Sequence, residues 1–291
     1  MVVGVVDVGA NTVRLQVSRG KESLLGERVM LRLGEAIERS GRIPDAKLDE
    51  TAAVVARFAA EARRRGVQRF EVLVTSPGRQ AANGAQLVRR LAAAAGAPAR
   101  VLDATEEGRL GFLGATATTR GPSKQLVAVV DVGGGSAQIV VGTRRSGPAW
   151  ARSLDIGSMR LTSRMGFSDP PGAEALAAAR GEVQRLLEGV VSPLPQSAIA
   201  IGGSARAIKS IVGPDLGPGE LERVIDVLAR LPAAKVVARY GVEPERVPTL
   251  PAGAVILAAI QERLAVPLRV RRRGGVREGA LLELVSRREA A

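Results

Sequence analysis

An aspartate ending an apolar run, three successive glycines and a hydroxyl side chain form a combination suited to phosphate chemistry. The chain holds it as Asp131, Gly133, Gly134, Gly135 and Ser136, within VVDVGGGSAQIVV at 129–141. Glycines carry no Cβ, so a phosphate can rest on consecutive backbone N–H groups, and a strand-tip aspartate can hold a hydrated divalent cation against it. The flanking apolar runs predict a strand, a tight turn and a returning strand. The pattern also stands 124 residues earlier, in VVDVGANTVRLQV: Asp7 matches Asp131, Gly9 matches Gly133 and Thr12 matches Ser136. Two copies in register predict two related domains that present phosphate-binding hairpins to one polyphosphate or nucleotide.

Other candidate residues fall at predicted strand ends. The run 70–75 reads as a strand delivering Thr75, Ser76 and Arg79 through a Ser76-Pro77-Gly78-Arg79 turn, before an alanine-rich helix over 81–95. Open α/β sheets place their ligands at such ends. Asp103 and Glu106 have capping-box spacing at the head of a helix running through Leu113, and Glu107 follows directly. Ala198–Ile201 reads as a strand running into Gly202-Gly203-Ser204 at a helix start, where N–H groups meet an anion.

The elements that must position these groups follow from periodicity. Strands are expected over 1–20 and about 25–33, and a helix over 48–65 with Gly66 as its C-cap. A hinge is expected within 116–124, and a second sheet from Leu126. Further on, the expectations are a strand with a Gly157-Ser158 turn, and helices over about 172–188, 218–241 and 251–264. A basic run at 269–273 reads as a solvated loop, and a last helix spans 279–289. The corresponding division is 1–120 for domain I and 121–278 for domain II, with a terminal helix of about 279–291 packing back onto domain I.

Composition narrows the chemistry. The 291 residues include no histidine and no cysteine. This excludes a Ser-His-Asp triad, thiol nucleophiles and His- or thiolate-bound metals, and it leaves acid–base work to carboxylates, lysine or tyrosine. The net charge of +13 favours a polyanionic partner. With only 2% aromatic residues, stacking platforms for nucleic acid are scarce, so phosphate chains fit better and no nucleic acid partner is expected. No long apolar segment and no basic leader at MVVGVVDVGA lead to the expectation of a cytoplasmic protein without a membrane partner.

Seven blocks in order resemble the exopolyphosphatase and guanosine pentaphosphate phosphatase family of the actin-like ATPase superfamily. They are DVGANTVRLQV, VTSPGRQAANG, LDATEEGRLGFLGA, VVDVGGGSAQIVVG, SLDIGSMRLT, AIGGSARAI and GGVREGALLEL. The resemblance implies an α/β fold of two actin-like, ribonuclease H-like domains with a cleft between them, in the short form without a further domain. It implies magnesium-assisted release of orthophosphate from the end of inorganic polyphosphate. The alternatives are 5′-phosphate hydrolysis of guanosine pentaphosphate, or weak catalysis in a polyphosphate or alarmone sensor; a homodimer stays open. By resemblance, Asn11, Thr12, Arg79, Gly133, Gly134, Gly135, Ser136, Gly203 and Ser204 hold phosphate. Asp131, with its counterpart Asp7, serves the metal, and Glu106, the first of two adjacent glutamates, is the base. Gln138 departs from the family, which usually carries glutamate at this metal position.

Overall fold

Strand β1 (Val2–Val8) is buried along nearly its whole length, as expected of a central strand covered on both faces. The computed structural model describes residues 1–20, 22–271 and 274–286. They form two compact units, Met1–Gly114 with the segment from Val276, and Ala115–Gly275.

In the first unit β1 is followed by β2 (Thr12–Arg19), β3 (Glu22–Met30), α1 (Leu33–Ser40), α2 (Asp45–Arg64) and β4 (Arg69–Val74). Then come α3 (Ser76–Gln80), α4 (Gly84–Ala95), β5 (Ala99–Val101) and α5 (Ala104–Thr116). The sheet order is β3-β2-β1-β4-β5. β1, β2 and β3 pair antiparallel, whereas β4 and β5 run parallel to β1. One core, around Leu15, Leu48, Phe58 and Leu87, lies on one face. A smaller cluster of Val3, Val5, Leu73, Leu102 and Leu110 packs with the C-terminal helix on the other.

The second unit contains β6 (Leu126–Val132), β7 (Ala137–Thr143), β8 (Gly147–Leu154), α6 (Ser158–Met165), α7 (Ala173–Leu187), β9 (Ser197–Ile201) and α8 (Gly202–Val212). It continues through β10 (Asp215–Leu216), α9 (Pro218–Arg230), α10 (Ala233–Tyr240), a 3-10 helix (Pro244–Thr249), α11 (Leu250–Leu264) and β11 (Leu268–Val270); α12 (Val276–Ser286) returns to the first unit. Its sheet order, β8-β7-β6-β9-β11-β10, repeats the first sheet and adds one antiparallel edge strand. The 124-residue echo in the sequence is therefore a repeat of topology. Helix α11 is buried on almost every side, which its continuous apolar run LPAGAVILAAI requires.

Several local expectations are corrected. Residues 76–80 form a short helix and not a turn, because Pro77 supplies the φ preferred in a first helical turn. The helical stretch expected over 218–241 divides into two helices at Leu231-Pro232, where proline ends the hydrogen-bonding ladder. Arg269, expected in a solvated loop, lies in β11, held by parallel pairing to β9; Arg272 and Arg273 of that run lie outside the described residues. The last helix starts at Val276, three residues early, and its expected end at 287–289 also lies outside them.

Candidate active site

The two hairpins close with the same bond. Gly9 N–H donates to the Thr12 carbonyl and Gly133 N–H to the Ser136 carbonyl, both at 3.0 Å. Strand register sets Asp7 opposite Arg14 and Asp131 opposite Gln138. In each, the residue two positions beyond the hydroxyl reaches back to it. Arg14 Nε donates to Thr12 Oγ1 at 3.1 Å, and Gln138 Nε2 donates to Ser136 Oγ at 2.9 Å.

The glycine turn of β6–β7 is oriented by α6. Ser158 N–H donates to the Gly133 carbonyl at 2.9 Å, and the Met159 and Arg160 N–H groups donate to the Gly134 carbonyl at 3.0 Å. These are the first amides of α6, donors that have no partner within their own helix. In a trans peptide the C=O and the next N–H point in opposite directions, so the N–H groups of Gly134 and Gly135 face away from α6. A Cβ at Gly157 would collide with the Gly134 backbone, so glycine at the N-cap permits the approach. In the β1–β2 hairpin the Asn11 carbonyl accepts from Leu31 and Arg32, and the Ala10 carbonyl from Gly34. Arg32 does this in the left-handed region, with φ 53°.

Asp131 also meets the third turn. β6 and β9 are parallel neighbours, with Asp131 beside Ile201, and Asp131 Oδ1 lies 2.6 Å from where a Cβ on Gly202 would stand. Gly202 has φ +94°, a backbone conformation that glycine allows. The Arg246 guanidinium fills the space that a Cβ on Gly203 would occupy and is paired with Glu243. Sequence reasoning missed Arg246, since it comes from the distant 3-10 helix and no local pattern marks it. Ser204 is buried against Gly253 of α11. Thus Asp131, Gly133, Gly134, Gly135, Ser136, Gln138, Gly203 and Ser204 all lie at the tips of β6, β7 and β9 within the second unit.

In the first unit Thr75 N–H donates to the Val8 carbonyl at 3.1 Å, joining the tip of β4 to that of β1. Arg79, on α3, donates from Nη1 to the Leu102 carbonyl at 2.7 Å and forms an ion pair with Glu107 Oε2, also at 2.7 Å. Glu107 is buried. Glu106 N–H donates to Asp103 Oδ1 at 2.8 Å, so Asp103 caps α5 as its spacing predicts. The Glu106 carboxylate pairs with Arg100 Nη1 at 2.6 Å, and Arg100 also binds Glu71. Glu71 lies three residues before the end of β4, about 10 Å back from the tip at roughly 3.3 Å per residue. The two glutamates therefore take different partners: Glu107 pairs with Arg79 of α3, Glu106 with Arg100 of β5.

Asp7 retains some solvent-accessible area yet is closely surrounded. Burial pushes its carboxyl up from the usual range, Arg277 and Arg14 oppose that shift, and Glu278 adds to it. Among the described residues no three Asp, Glu, His or Cys side chains converge into a metal cage. A single strand-tip carboxylate, Asp131, suits a cation that takes its remaining oxygens from water and a phosphate.

The profile of the Ppx/GppA phosphatase family matches residues 15–288, so the chain belongs to that phosphatase family. It is 30% identical over 287 residues to exopolyphosphatase 1 of Mycobacterium leprae (strain TN), covering 91% of this chain and 84% of that protein. The crystal structure of the Aquifex aeolicus Ppx/GppA family member superposes with a TM-score of 0.83 at 26% identity, covering 99% of this chain and 98% of that one. An exopolyphosphatase from Cytophaga hutchinsonii ATCC 33406 shares the fold, with a TM-score of 0.87 at 19% identity over 98% of each chain. The fold is α/β with two actin-like sheets, and no described helix is long and apolar enough to cross a membrane.

Proposed function

We propose that this phosphatase releases orthophosphate from the end of inorganic polyphosphate. The observation that carries the reading is the Arg79–Glu107 pair at the ends of β4 and β5: a guanidinium suited to a phosphate and a buried carboxylate suited to a water, 2.7 Å apart. The naming of the Mycobacterium leprae relative as an exopolyphosphatase supports the substrate class. A terminal phosphate arriving at Arg79 competes with Glu107 for the guanidinium and releases the carboxylate to take a proton from the attacking water. Water oxygen bonds to the terminal phosphorus, the bridging P–O bond breaks, and the shortened chain leaves with the bridging oxygen. Positioning and charge neutralisation supply most of the stabilisation in such a transfer.

Glu107 takes the role of base in place of Glu106, whose carboxylate is held by Arg100, itself also bound to Glu71. The Gly134 and Gly135 N–H groups, Ser136, Gly203, Ser204 and Arg246 hold phosphates, and Thr12 and Asn11 do so in the first hairpin. Asp131 would hold magnesium, which when bound neutralises phosphate charge; Asp7, already opposed by two arginines, is the weaker candidate.

Orthophosphate release from short and long polyphosphate and from guanosine pentaphosphate, measured side by side with magnesium, tests this. Polyphosphate is expected to turn over faster. Glu107→Gln should lower kcat by about two to four orders of magnitude, and Glu106→Gln by less than about tenfold. The reverse order would return the base to Glu106. Preference for guanosine pentaphosphate would change the substrate, and binding without any turnover would favour a sensor.

A further inference from the structure

We propose that Gln138 is a positioning residue: its side-chain amide sets the Ser136 hydroxyl as a donor to a bound phosphate, instead of serving a cation. This rests on the phosphate-binding reading of the β6–β7 hairpin. Both residues are buried. Gln138 Nε2 carries two hydrogens, and it donates to Ser136 Oγ at 2.9 Å and to Ser153 Oγ at 3.5 Å. A hydroxyl that accepts such a bond uses a lone pair and not its proton, so the Ser136 O–H is turned away from the amide.

The first hairpin contains the same device with a different residue. Arg14 stands at the position equivalent to Gln138 and donates from Nε to Thr12 Oγ1 at 3.1 Å. A guanidinium has donors and no acceptor, so the polarity of that bond is fixed by chemistry. Two unlike side chains at matching positions thus impose one polarity on two hydroxyls that flank glycine turns of the same geometry. A carboxylate at 138 could only accept. It would draw the Ser136 proton inward and present an oxygen lone pair to the phosphate, which repels it.

The test is calorimetric binding of inorganic tripolyphosphate at several magnesium concentrations, with thermal melting of every variant as the check on folding. The proteins are wild type, Ser136→Ala, Gln138→Met, Gln138→Glu and the double variant Ser136→Ala/Gln138→Met. Methionine keeps the length of glutamine and removes its donors, and the melts check that the fold stands. Ser136→Ala and Gln138→Met are each expected to weaken binding about tenfold, and the double variant no further than Ser136→Ala alone, since the two act as one unit. Gln138→Glu should weaken binding at every magnesium concentration.

Multiplicative losses, wild-type binding by Gln138→Met, or a Gln138→Glu protein that binds more tightly or needs less magnesium would each overturn the proposal while leaving the polyphosphate reading standing. Wild-type protein that takes no tripolyphosphate would overturn both.

Discussion

The two hairpins share a turn, a register and a hydroxyl clamp, yet they are held in place by opposite means. In the second unit α6 brings its first three amides onto the glycine carbonyls, and the absence of a side chain at Gly157 lets it come that close. In the first unit the entrance to α1 does the equivalent work, and Arg32 bears a left-handed backbone to do it, at a cost of about 1–2 kcal/mol for a residue with a Cβ. The surroundings differ as well. The first unit brings an ion pair of a buried carboxylate and a half-buried arginine to its strand ends, whereas the second brings glycine N–H groups, hydroxyls and Arg246. The duplicated topology thus carries two specialisations, one suited to moving a proton and one to gripping phosphate.

The largest expected effect that would break this division is at Arg79. Arg79→Met should reduce kcat/KM for polyphosphate by about 10²- to 10³-fold, the range seen when one donor to a developing charge is lost. Steady-state kinetics beside Arg246→Met provide the comparison, since Arg246 in the second unit should act chiefly through KM. Equal kcat losses in both variants would contradict the division of labour.

Stability should separate the two supports by sign. Gly157→Ala forces α6 off the Gly134 backbone and should destabilise by about 1–3 kcal/mol, a fall of several degrees in Tm. Arg32→Gly removes the left-handed penalty and gives up the exposed pair with Glu35, so Tm should rise by a few degrees or fewer. Calorimetric melts of both variants check this. A loss of Tm in Arg32→Gly would mean that the Arg32 side chain, and not its backbone, secures the first hairpin.

Smaller still is the effect of loosening the first clamp. Arg14→Met should weaken tripolyphosphate binding by about threefold, less than Gln138→Met does, because Thr12 is less buried than Ser136. A larger loss than at Gln138 would make the first hairpin the principal grip.

The smallest expected change concerns Asp7, whose folded pKa is raised above the unfolded value of about 3.9. In that case the folded state binds more protons, so stability contributed by the neutral carboxyl is full below about pH 3.9 and is lost as pH rises through the folded pKa. Asp7→Asn should flatten this dependence and be relatively more stabilising toward neutral pH. Denaturant unfolding across acid to neutral pH measures it. An unchanged pH slope would mean that Arg14 and Arg277 fully offset the burial.

The sequence alone determined what repeats at short range. Apolar runs ending in Asp-x-Gly specified β1–β2 and β6–β7, because strand alternation and glycine turns are local properties of the chain. Asp103 was legible as a cap for the same reason. What the sequence could not decide were contacts between segments far apart in the chain. It did not show that Glu106 and Glu107 take different partners, because this depends on Arg100 and Arg79 arriving from β5 and α3. Nor did it show that Arg246 lies on Gly203, or that the residue facing Asp131 donates to Ser136. Adjacent helical residues point about 100° apart, so which one faces the strand tips is fixed only when the sheet and its helices pack.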